Sequence, residues 1–214
     1  PISLVDPFGQ KAYSAYRELG LPGGGLLWSL LHSSGHVYLA FKVAGDGLSA
    51  EEENKWCAFL TSKGFKKTDF PVRGAKEYNE WITFSFHPIS VSPDTAPTEG
   101  NELLTLITDG SFIDLNNVRN DINPVLKGTA TKNLISGNFE SEKKLFERAL
   151  QSLSAGSRGG RDFARKLGDE IPTMIKTYQN YGFLRYNCGG WAKYIVDQSG
   201  LSWPLGSYFY NLGV

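Results

Sequence analysis

The sequence predicts a single α+β domain in which a small antiparallel sheet packs against helices. Three observations carry that expectation. Two short segments, 36–43 and 81–87, alternate apolar and polar residues with a period of two. Several longer segments place apolar residues at helical spacing behind good capping residues. The chain has 214 residues, 41% of them hydrophobic and 13% aromatic, enough to fill one sizeable core and unlike the composition of a disordered chain.

Taken in order, the chain opens on an extended apolar stretch from Pro1 that runs into an Asp6-Pro7 turn closed by Gly9. Residues 11–31 read as helical, with Tyr13, Tyr16 and Leu19 on one side and a break at Pro22–Gly25. The segment 36–43 puts Val37, Leu39, Phe41 and Val43 on one face and His36 and Tyr38 on the other, which predicts a half-buried strand. Ser49-Ala50-Glu51-Glu52 is a capping box, because the Ser hydroxyl and the Glu carboxylate satisfy each other's orphan backbone donors, and it opens a helix through about Ser62. Ile82, Phe84 and Phe86 form the apolar face of the next strand, with Thr83, Ser85 and His87 opposite, before a Pro-rich loop over 88–100. Leu103–Ile107 reads as a strand buried on both faces. Helices are expected from about Asn138, from Arg161 to about Tyr178, and from Cys188 to about Gln198, the last stopped at Gly200. The glycines over 156–160 separate the first two.

Charge and composition exclude several classes. With 22 basic and 22 acidic residues the formal charge is zero, so there is no global attraction to nucleic acid. The densest basic group, Arg158, Arg161, Arg165 and Lys166, is interrupted by Asp162 and reads as a solvated helix face. No run reaches the roughly 18 apolar residues of a membrane span, and no secretory signal opens the chain. A first residue that is Pro1 and a single methionine, Met174, point to a processing product or fragment. Two cysteines, Cys57 and Cys188, cannot make a disulfide framework and are expected as thiols. Cys57, between Trp56 and Ala58, reads as inert packing.

The chemistry concentrates at Asn187-Cys188-Gly189-Gly190-Trp191-Ala192. Asn187 is a good N-cap, which places Cys188 in the first turn of a helix. There the free N–H groups and the positive end of the helix dipole favour the thiolate, the nucleophilic form. Gly189 and Gly190 are poor helix formers whose place is explained by a substrate approaching the backbone, where the amides of Cys188 and Gly189 would meet an oxyanion. A thiol nucleophile needs a base oriented by a third polar group. His36 and His87 lie on the polar faces of their strands, and pairing of those strands would make the imidazoles neighbours. His36 is then the base, with His87, Asp109 or a backbone carbonyl as its orienter. His32 reads as a surface or capping residue. A zinc site on His32 and His36 is disfavoured by the intervening Ser33-Ser34-Gly35 and by the lack of a His-Glu-x-x-His pattern. No phosphate-binding loop is present, and no cofactor or metal is expected.

Two resemblances add to this reading. Pro1-x4-Asp6-Pro7-x-Gly9 resembles the motif that closes the shell of Rhs-repeat proteins, after which variable C-terminal toxin domains follow. The family motif usually continues with Leu at its cleavage position, where this chain has Gln10. Residues 1–10 would then be the end of the shell motif and a linker, and 11–214 a papain-like toxin domain. Gly35-His36-Val37-Tyr38-Leu39, Ser85-Phe86-His87-Pro88 and Asn187-Cys188-x-x-Trp191-Ala192 resemble the circularly permuted NlpC/P60 branch of papain-like thiol enzymes. In that branch the histidine strand precedes the cysteine helix, and catalysis depends only on their arrangement in space.

The resemblance implies Cys188 as nucleophile, His36 as base and His87 at the third polar position. It implies a toxin delivered into a target cell, as by a type VI apparatus, that hydrolyses amide bonds of cell-wall peptide or of a target-cell protein, and a cognate immunity protein. The lecithin:retinol acyltransferase-like members often carry an acidic residue and a histidine where this chain has Gly189 and Gly190, which sets it apart from those lipid enzymes. An acyltransferase or phospholipase of the same thiol chemistry is the alternative. A non-catalytic binding domain, with Cys188 merely buried, is the alternative from another class.

Overall fold

The computed structural model describes residues 11–18, 35–65, 80–88, 111–115, 121–152 and 187–205. They form an α+β arrangement: strands β1 (Lys11–Glu18), β2 (Gly35–Lys42), β3 (Trp81–Pro88), β4 (Ser111–Leu115) and β5 (Thr131–Ser136), with helices α1 (Ala50–Ser62), α2 (Asn123–Leu126), α3 (Phe139–Gln151) and α4 (Cys188–Gln198). The sheet has the order β4-β3-β2-β1-β5, and every neighbouring pair is antiparallel. The expected antiparallel sheet packed against helices is therefore present.

Local sequence accounts for the helix starts. Ser49 accepts from the Glu52 amide while Glu52 reaches back to the Ser49 amide, the reciprocal capping box read from the sequence. The Asn138 carboxamide caps α3 by accepting from the amides of Glu140 and Ser141, and Asn187 caps α4. Gly200, at φ 74°, follows the end of α4 in the left-handed region that glycine adopts without cost.

The main core lies on one face of the sheet, where Val37, Leu39, Phe41, Ile82, Phe84 and Phe86 meet the buried faces of α1, α3 and α4. Phe146 of α3 sits at its centre, edge-on to Phe41 at 5.1 Å and to Phe84 at 5.2 Å between ring centroids, geometries that aromatic quadrupoles favour. Trp191 of α4 stacks on Phe86 and seats the fourth helix on β3. A smaller core on the opposite face joins Ala15, Tyr38, Ala40 and Trp81 to Ile122, Val125 and Ala130 around α2.

Covering both faces overturns two expectations. Residues 11–18 are a strand, not the start of a helix over 11–31, and residues 19–34 lie outside the described residues. Tyr16 belongs to the main core and Ala15 to the smaller one, so apolar side chains point both ways and the two-residue period vanishes from the sequence. For the same reason β2 is buried on both faces rather than half-buried. Cys57 is exposed, because Trp56 and Phe59 take the buried side of α1; it is not packing. Strands β4 and β5 and the short α2 were not anticipated. The expected strand 103–107, helix 161–178, loop after Pro88 and basic group 158–166 lie outside the described residues, as do His32 and Asp109. No helix among the described residues is long and apolar enough to cross a membrane.

Candidate active site

The site forms where the N-terminus of α4 meets the first residues of β2. The Cys188 sulfur accepts a hydrogen bond from the Val37 amide at 3.4 Å and lies 3.9 Å from the Gly35 carbonyl, to which its S–H donates. It is 5% exposed. The Asn187 side chain accepts from the Gly190 amide at 2.8 Å, and the Asn187 carbonyl accepts from the Trp191 amide at 3.0 Å. Cys188 and Gly189 are the first two residues of α4, positions whose amides have no partner within the helix.

The register of β2 on β3 pairs Tyr38 with Ser85, and two residues further along each strand His36 comes opposite His87. Their rings stack with centroids 4.5 Å apart and planes inclined by 19°. Both are buried, and the pairing that the polar strand faces foreshadowed is met.

A fourth residue completes the cluster. Asp121, which precedes α2, is buried, and its Oδ1 lies 3.4 Å from Nε2 of His36. Its Oδ2 accepts from the Ser85 hydroxyl at 2.7 Å, and its backbone carbonyl accepts from the Tyr38 phenol at 3.0 Å. With the Ser85 proton directed to Asp121, the Ser85 oxygen is the acceptor for Nε2 of His87 at 2.8 Å, which assigns a proton to that nitrogen. The sequence held no mark for Asp121 beyond its place just before Asn123-Pro124, a helix-start signal that was not read.

Electrostatics bind these groups together. Burial opposes charge on the His36 ring, but the Cys188 sulfur and the Asp121 carboxylate more than offset it and raise its pKa to about 10. Burial likewise opposes the Asp121 anion, and His36, His87 and Ser85 together hold it below the ordinary carboxylate value. Burial raises the Tyr38 phenol far above its usual range, assisted by Asp121 and opposed by Arg17.

His36, His87 and Asp121 each offer a metal-ligand atom, all within 4.8 Å of one another. Ser85 already engages Nε2 of His87 and Oδ2 of Asp121, whereas both nitrogens of His36 and Oδ1 of Asp121 make no hydrogen bond among the described residues, and Nε2 and Oδ1 face each other across 3.4 Å. Of the residues singled out from sequence, His36 and His87 stack on each other, Cys188 meets the β2 backbone on both sides of His36, and Gly189 follows the thiol in the first turn of α4. No protein-family model, curated protein or solved structure matches the chain.

Proposed function

We propose that the chain is a cysteine-dependent acyl-transfer enzyme that hydrolyses amide bonds, with Cys188 as nucleophile, His36 as base and Asp121 as the residue that orients His36. The observation that carries this reading is the meeting of a thiol in the first turn of a helix with a buried imidazole whose far nitrogen faces a buried carboxylate. With Nε2 turned to Asp121, Nδ1 is the nitrogen left for the thiol.

In the first step His36 takes the proton of Cys188, and the thiolate adds to the scissile carbonyl. The oxyanion that forms is met by the amides of Cys188 and Gly189. Collapse of the tetrahedral intermediate breaks the C–N bond, and the imidazolium gives its proton to the leaving amine. Water, deprotonated by His36, then attacks the thioester, releasing the carboxylic acid and restoring the thiol. Another nucleophile in place of water would make the same intermediate serve an acyltransferase or phospholipase. His87 buttresses the His36 ring and, through Ser85, positions Asp121.

The arrangement is read as papain-like in the permuted NlpC/P60 order, with the histidine strand before the cysteine helix. The Pro1–Gly9 motif supports the toxin portion of an Rhs-type protein, delivered to a target cell and neutralised by an immunity protein. Cell-wall peptide and a target-cell protein are its candidate substrates.

The test is the rate of iodoacetamide labelling of Cys188 across pH, read by mass spectrometry with Cys57 as the exposed reference. The expected result is rapid labelling of Cys188 at and below neutral pH that His36→Ala removes and that EDTA leaves unchanged. Labelling slower than that of Cys57 at every pH would move the reading to a non-catalytic binding domain, and loss of labelling with EDTA would move it to a metal site. In cells, Cys188→Ala should abolish toxicity. Toxicity only from the periplasm favours cell wall as the substrate, and toxicity from the cytosol favours a protein or a cytosolic acyl substrate.

A further inference from the structure

Beside the proposed base lies a buried arginine whose Nε makes no hydrogen bond among the described residues. Arg17 on β1 is paired in register with His36 on β2, so the two side chains project from the same face of the sheet with β-carbons about 5 Å apart. That face also carries Tyr38, Ser85 and His87. Arg17 is 8% exposed, and its Nε is buried with no hydrogen-bond partner. No carboxylate among the described residues forms an ion pair with it. Asp121, the acidic group of the cluster, is turned to His36 and Ser85. The guanidinium is close enough to act on the Tyr38 phenol.

A buried guanidinium nitrogen without a partner carries a desolvation cost, and a ligand that reaches the group offsets it. The planar fork of arginine matches a carboxylate in particular, through two parallel N–H···O bonds. The geometry points to Arg17 as the receptor for a carboxylate of the substrate, so that the acyl group attacked by Cys188 carries a free carboxylate close to the scissile carbonyl. This inference rests on the assignment of Cys188 and His36 above and names the substrate class that their site selects.

Two alkylating reagents of nearly the same size separate the inference from its premise. Iodoacetamide is neutral and reports the reactivity of Cys188 alone, whereas iodoacetate carries the carboxylate. At low ionic strength, the iodoacetate-to-iodoacetamide rate ratio at Cys188, divided by the same ratio at Cys57, should exceed unity by about tenfold or more, the scale of a charge-assisted hydrogen bond. Arg17→Gln should collapse that preference while leaving the iodoacetamide rate of Cys188 in place, and Arg17→Lys should restore part of it. Acetate should protect Cys188 of the unaltered protein from iodoacetate, which keeps the test decisive even where Arg17→Gln disturbs folding. An equal ratio at the two cysteines overturns the inference, as does a high ratio that survives Arg17→Gln, since the imidazolium alone would then attract the anion. Protection by inorganic phosphate but not by acetate overturns the carboxylate assignment. Slow iodoacetamide labelling of Cys188 would instead strike the nucleophile reading itself.

Discussion

Nε2 of His36 lies 3.4 Å from Oδ1 of Asp121, with both side chains fully buried. At that separation neither nitrogen of His36 makes an aligned hydrogen bond, and Oδ1 is likewise without one. Catalytic hydrogen bonds in ligand-free enzymes are often long and tighten when substrate enters. Asp121→Asn keeps the shape and removes the charge that stabilises the imidazolium. Amide hydrolysis should fall by about 100-fold or more, the scale of a general acid–base contribution. The enhanced labelling of Cys188 near neutral pH should fall with it. Retention of both in Asp121→Asn would transfer the orienting role to His87.

Ser85 holds the two halves of the cluster together. Its hydroxyl donates to Asp121 at 2.7 Å and accepts from His87 at 2.8 Å, so its removal breaks two buried hydrogen bonds at once. Leaving a buried polar group unsatisfied costs about 1–3 kcal/mol, and Ser85→Ala should lose stability of that order or more in urea denaturation. The partial loss of activity should appear in kcat rather than KM, because Ser85 acts through Asp121 and not on the substrate.

Asp121 also contributes to the pH dependence expected of stability in acid. Its folded value lies below the ordinary 3.8, so its contribution is present above about pH 4 and is lost as pH falls through the folded value. His36, ordinarily 6.5 and raised in the fold, is protonated in folded and unfolded chains alike over that range and adds no slope there. Denaturation midpoints measured from pH 5 downwards should therefore fall steeply, and Asp121→Asn should flatten that limb.

The parts of this fold legible in the sequence are those with a local signature. The capping box at Ser49–Glu52, the Asn138 and Asn187 caps and the alternating faces of 37–43 and 81–87 each carry their geometry in a few adjacent residues. The juxtaposition of His36 with His87 followed from polar faces on two strands, once those strands paired. Illegible were the features made by distant segments. β1 hides its period because Tyr16 and Ala15 fill different cores. Asp121 reaches His36 across 85 positions of sequence, and Arg17 reaches the same face through pairing of a strand that read as a helix. Cys57 was misplaced because its neighbours are apolar, although Trp56 and Phe59 alone suffice to define the buried side of α1.

Gly35 supplies the last prediction, since it stands where the strands and the thiol converge. A β-carbon there would overlap the Tyr16 ring and the Arg17 carbonyl, both on β1, while the Gly35 carbonyl faces the Cys188 sulfur. Gly35→Ala must therefore push β1 from β2 at the end of the sheet that carries His36 and Arg17. Overpacking of this kind costs about 1–3 kcal/mol, and here it should also slow iodoacetamide labelling of Cys188. Gly128→Ala is the matched comparison. Gly128 has φ 69° with nothing within 4 Å of the added carbon, so an alanine there bears only left-handed backbone strain, about 1–2 kcal/mol. Both variants should lower the urea midpoint, but only Gly35→Ala should alter Cys188. Equal labelling in the two would show that the close approach of β1 to β2 is not what sets the position of the thiol against His36.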